Sequence, residues 1–171
     1  FLGDEKMRKI LFIFTICLVY SFSSICLAYP NEKNGFRNFY WGESLQEVQA
    51  NSEIYDLKYK SYDKGFNSVY YVGTLKNPYV SGQVVNNINF IFWNNKLYSI
   101  YITFAEEKYF SVLNSMKISF GYPRVENDKY YWDGEQTSMI LGRQKGQFGV
   151  IFMANPYLSD EAIKDGAIKG W

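Results

Sequence analysis

Past residue 29 the apolar positions keep two different rhythms. Val69–Leu75, Asn87–Trp93 and Leu97–Phe104 are runs of β-branched and aromatic residues, which predict strands. Asn94-Asn95-Lys96 separates the last two, so they predict an antiparallel hairpin. Strict alternation places Tyr98 with Ile100, Ile102 and Phe104 on the apolar side and Tyr101 on the wetter one. From Glu106 to Phe120 the period changes. Phe110, Leu113, Met116 and Phe120 fall at helical spacing, Glu106-Glu107 suit the first turn, and Gly121 with Pro123 stops the helix. Lys129–Trp132, Thr137–Leu141 and Phe148–Met153 predict three more strands, turned at Asp133-Gly134 and Lys145-Gly146. A short tail helix is expected from Ser159-Asp160-Glu161.

Upstream, Ser44-Leu45-Gln46-Glu47 is a capping box that opens a short helix through about Asn51, with Leu45 and Val48 facing the core. Residues 52–66 are polar and tyrosine-rich, and predict a loop or an irregular edge. The order is therefore helix-strand-strand-strand, twice. VYYVG (69–73) corresponds to YYWDG (130–134), and residues 88–104 correspond to 138–153. This predicts an α+β fold with a predominantly antiparallel sheet, helices on one face, and two αβββ units in tandem.

The first residues read as an address. Arg8-Lys9, the apolar run Ile10–Leu27 and then Ala28-Tyr29-Pro30 have the form of a secretory signal peptide cleaved after Ala28. The chain divides into a leader and signal over 1–28 and a single exported domain over 29–171. The destination is periplasmic, cell-envelope or extracellular. An uncleaved signal is the one expected route to a membrane, since Ile10–Leu27 nearly suffices to span a bilayer. A lipid anchor at Cys26 fits worse, because Ile25 is not the small residue it requires.

Removing the leader changes the chemistry available. Equal numbers of basic and acidic side chains remain, which argues against nucleic acid as a partner. Cys17 and Cys26 leave with the leader, so disulfides and thiolates leave too. The whole chain has no histidine, which excludes Ser-His-Asp and Cys-His catalysis and histidine-dependent zinc sites. No glycine-rich phosphate loop or calcium-loop spacing occurs. The expectation is no cofactor, no metal and no catalytic residue.

Phe36-Arg37 followed by Trp41-Gly42-Glu43-Ser44, Glu47 and Val48 is the most distinctive segment. It resembles the opening of small, largely uncharacterised exported bacterial proteins that begin Phe-Arg-x-x-x-Trp-Gly-x-Ser-x-x-Glu-Val. Phe120-Gly121-Tyr122-Pro123 and Tyr131-Trp132 match their later motifs, with Phe for Tyr in the first. The helix entry is also similar to that of the SmpA/OmlA lipoproteins and the β-lactamase-inhibitor-like fold. That resemblance implies a non-enzymatic binding module on an antiparallel sheet, without the lipoprotein cysteine context. Read physically, Gly42 permits the bend from strand to helix and Trp41 covers the core beneath it. Arg37 is the member whose charge folding does not explain, and it is free to pair with Glu43, Glu47 or a partner.

The chain is 20% aromatic, and strand alternation must turn some of those rings outward. Exposed Tyr and Trp are favoured at binding surfaces. The candidate ligand-binding residues are Arg37, Trp93, Tyr101, Tyr131 and Trp132. The expected function is an exported, non-catalytic binding module of the bacterial cell envelope, with a protein or peptide partner ahead of a glycan. The alternative is a carboxylate-dependent hydrolase of glycan or peptidoglycan, drawing on Asp128, Asp133 and Glu135 or on Glu106-Glu107.

Overall fold

The computed structural model describes residues 28–169, so the expected signal sequence up to Leu27, with both cysteines, lies outside the described residues. A two-residue hairpin, β1 (Gly35–Phe36) and β2 (Phe39–Tyr40), leads into helix α1 (Leu45–Ala50). The capping box closes as the sequence predicts. Ser44 Oγ accepts from Glu47 N, and the Glu47 carboxylate accepts from Ser44 N at 2.7 Å. Four strands follow: β3 (Ile54–Asp63), β4 (Ser68–Leu75), β6 (Gln83–Trp93) and β7 (Lys96–Ala105), with the two-residue β5 (Tyr79–Val80) paired to the start of β6. Helix α2 (Tyr109–Phe120) comes next, then β8 (Arg124–Glu126), β9 (Lys129–Trp132), β10 (Ser138–Gln144), β11 (Phe148–Ala154) and helix α3 (Pro156–Lys169).

Every pairing in the sheet is antiparallel, in the order β3-β4-β6-β7-β11-β10-β9-β8. The fold is α+β on a mainly antiparallel sheet. The second unit retraces the first in mirror order, and the two meet where β7 pairs with β11. Each unit is a helix and four strands, so the tandem is αββββ and not αβββ. The missing strands are the sheet's edges. β3 is interrupted by two bulges, as an edge needs if it is not to recruit another strand. β8 is three exposed residues with no apolar pattern to announce it.

The register refines the repeat. Phe90 opposes Ile100, and Leu141 opposes Ile151, so β6 aligns on β10 one residue away from the motif match. One face, called the inner face here, carries the main core: Phe90, Ile100, Ile102, Phe104, Leu141 and Ile151 beneath α1, α2 and the β1–β2 hairpin. In α2 the buried residues are Tyr109, Val112, Leu113 and Met116, whereas Phe110 is 60% exposed and not in the core as its spacing predicts. Gly121 ends this helix at φ 77°.

Helices do not keep to one face. α3 lies across the opposite, outer face, where Ala162 and Leu158 pack on Ile91, Tyr98 and Trp93. It also starts three residues before Ser159. Asn155 Oδ1 accepts from Leu158 N at 2.9 Å and Pro156 supplies the first helical position.

Candidate functional site

The entry motif is spent on assembly. Arg37 occupies a turn at φ 55°, a left-handed conformation that costs energy unless it is held. Its guanidinium holds it there, donating to the carbonyls of Asn77 (2.8 Å) and Tyr79 and lying 3.4 Å from the Glu53 carboxylate. The partner is thus Glu53, not Glu43 or Glu47. Trp41 Nε1 donates to Thr137 Oγ1 at 2.6 Å, which in turn donates to Lys33 O. Gly42 N donates to Leu97 O and Leu97 N to Glu43 O, both at 2.8 Å, stitching the helix entry to the central hairpin.

The five candidate residues separate. Trp132 is 2% exposed in the main core, with Nε1 donating to Gly121 O at 2.9 Å, so it is not a binding residue. Trp93 is half-buried under α3 and donates to Asp165 Oδ2 at 2.9 Å, a structural anchor for that helix. Arg37 is engaged as described, although it also lines a hollow.

Tyr101 and Tyr131 remain on the outer face. The registers place Tyr101 beside Phe152, Phe152 beside Ile140, Ile140 beside Tyr131, and Tyr131 beside Arg124. This strip, half-buried over four strands and exposed at Arg124 on the fifth, has no residue beyond Phe152 in the cluster under α3. Arg124 lies 4.5 Å from the centre of the Tyr131 ring while its Nε donates to Asp133 Oδ2 at 2.9 Å. Burial raises the Tyr101 phenol above its ordinary value.

Tyr98 overturns the strict alternation. Ile91 opposes Ser99 and Phe92 opposes Leu97, so Tyr98 is the unpaired residue of a bulge. It turns to the outer face, the same face as Tyr101, where it is 6% exposed with its hydroxyl 3.0 Å from Ser68 Oγ.

Beside Tyr101 is an open hollow of about 540 Å³, bordered by Lys60, Asn87, Asn89, Thr103, Gln147 and Phe148. Asn89 is 4% exposed and accepts from Lys60 Nζ at 3.0 Å. On the inner face a second hollow of about 240 Å³ opens between the first hairpin, β5 and α2. Met116, Met139, Met153, Phe120 and Ile151 line its depth, and Tyr29, Lys33, Arg37 and Ser81 are also on its wall. No sequence motif signals it, because five separate segments build it.

The carboxylates do not converge on either hollow; neither is lined by an Asp or Glu. Asp133 is held by Arg124, Asp128 sits in a turn at φ 59°, and Glu106 Oε2 accepts from Gly146 N at 2.6 Å. Glu43 and Glu47 do differ in acidity. Burial pushes Glu43 up, with one oxygen unpartnered, whereas hydrogen bonds from Ser44 hold Glu47 below its usual value. Among the described residues no group of three or more Cys, Asp or Glu could hold a metal, and no helix is long and apolar enough to cross a membrane. No protein-family model, curated protein or solved structure matches this chain.

Proposed function

We propose that the chain is an exported, non-catalytic binding module of the bacterial cell envelope, and that its outer sheet face receives a protein or peptide. The observation that carries this is the strip Tyr101–Phe152–Ile140–Tyr131–Arg124, continuous across five strands and ending clear of the C-terminal helix. Aromatic rings with a stacked arginine supply large, pre-ordered contact area, the composition from which interface anchors are drawn. Lys60, which borders the hollow beside Tyr101, favours an acidic residue of the partner at that end, whereas Arg124 at the other end already pairs with Asp133 and Glu126.

The hydrolase reading has one feature in its favour, the divided acidity of Glu43 and Glu47. Glu47 is committed to the helix cap, and neither residue lines a hollow. The binding reading therefore stands ahead. Capture from envelope extract by the full chain tests it against the paired variant Tyr101→Ala/Tyr131→Ala. The variant is expected to lose the captured protein while its unfolding midpoint stays near that of the parent. Identical capture by both would place the interface elsewhere.

A further inference from the structure

The inner-face hollow has a composition that the core alone does not require. The three methionines among the described residues, Met116, Met139 and Met153, all line it, and they come from α2, β10 and β11. Methionine is flexible and polarizable, and it is favoured where a surface must fit an apolar guest of variable shape. The volume, about 240 Å³, exceeds the roughly 150 Å³ of an apolar cavity that admits benzene. A closed core of this size leaves no such space, since interiors pack to crystal density.

The charged residues on the wall are of one sign. Lys33 is exposed and pairs with no carboxylate among the described residues. Arg37 is fixed in place by Glu53 and two carbonyls, which keeps its guanidinium at the wall whether or not a guest is present. Tyr29 and Ser81 add hydroxyls. An apolar depth with a cationic, hydroxyl-bearing wall suits a molecule that is apolar at one end and anionic at the other.

We propose that this hollow is a binding site for a small anionic amphiphile, a medium-chain carboxylate in chemical class, with its chain among the methionines and its head at Lys33. The site is separate from the outer-face strip, and it stands or falls independently of that reading.

The test is calorimetric titration of the full chain with butanoate, hexanoate, octanoate and decanoate, each kept below its micellar concentration. Each methylene that enters should tighten binding about fourfold until the hollow is full, after which affinity levels off. Octylammonium should bind at least tenfold more weakly than octanoate. Lys33→Glu, a surface change that leaves the core intact, should reverse that preference. Val80→Trp, at the half-buried wall, should abolish binding of every chain length, with circular dichroism confirming that it folds. Three results would overturn the proposal: no binding of octanoate at millimolar concentration, equal binding of the cationic amphiphile, or affinities that neither substitution changes.

Discussion

Gly149 lies in the middle of β11, where a glycine weakens a strand unless something needs the space. Phe104 needs it. A Cβ built on Gly149 would stand 2.3 Å from Phe104 Cε2 and 2.4 Å from Cζ, more than 1 Å inside ordinary contact. The ring cannot swing away, because it is 1% exposed in the main core. Overpacking of this kind costs about 1–3 kcal/mol. Alanine restricts the unfolded chain and returns about 0.4–1 kcal/mol, so Gly149→Ala should destabilise by roughly 1–2 kcal/mol net. Urea unfolding should show a lower midpoint with an unchanged slope, and the melting temperature should fall by about 3 °C per kcal/mol. Gly142 is the control. Its Cβ would meet Val150 Cγ1 at 3.6 Å and Lys129 Cγ at 3.7 Å, both ordinary contacts, so Gly142→Ala should be neutral or slightly stabilising. Trimming the ring with Phe104→Leu should make the double variant less damaged than the two single effects added together. Strict additivity, or a Gly149→Ala no worse than Gly142→Ala, would refute the reasoning.

Leu113 is buried on the core-facing side of α2, so Leu113→Ala should cost about 2–5 kcal/mol by urea denaturation, whereas Phe110→Ala at an exposed position of the same helix should cost under about 1 kcal/mol. Tyr98→Phe removes the hydroxyl shared with Ser68 and should cost about 0.5–1.5 kcal/mol, measured the same way. Burial raises the pKa of Glu43 above its usual 4.5, so the folded state holds that proton more tightly than the unfolded one. Its contribution to stability is present at acid pH and is lost as pH rises above 4.5 through the folded value. Glu43→Gln should therefore unfold at higher urea than the parent at neutral pH, with the difference closing at acid pH; a difference independent of pH would assign it to packing instead.

Local chemistry made much of this fold readable. The Ser44–Glu47 cap, the stop at Gly121 and the β6–β7 hairpin each rest on residues close in sequence. What misleads is set by distant partners. The Tyr98 bulge comes from how β6 pairs with β7, and counting residues along β7 alone cannot reveal it. The phase of α2 turns on whether Tyr109 or Phe110 goes inward, and Arg143 sits over both rings, 5.0 and 5.5 Å from their centres. Asn155-Pro156 is different, because a cap and a first-turn proline stand there in plain sequence. For the site, alternation correctly turns Tyr101 outward and separates Tyr131 from Trp132, but which of those two shares a face with Tyr101 depends on how β9 registers on β10, and that register sends Trp132 to the core.

The two halves also explain why the outer face is covered on one side only. Registers that match Phe90 to Leu141 and Tyr71 to Tyr130 also match Ile91 to Gly142, Tyr70 to Lys129 and Trp93 to Gln144. In the first unit those positions are apolar, and α3 packs on them. The helix closes down further where Gly166 approaches the Gly65 backbone so tightly that a Cβ would stand 2.0 Å from its carbonyl oxygen. In the second unit the same positions are glycine, lysine and glutamine, which offer a helix almost no apolar area to bury. The Tyr98 bulge adds a ring to the first unit at a point where the second has none, since Gly149 aligns on Leu97. Pseudo-symmetry thus ends at the side chains. One half of the outer face is built to be covered by the chain itself, and the other keeps Ile140 and Tyr131 clear of that helix.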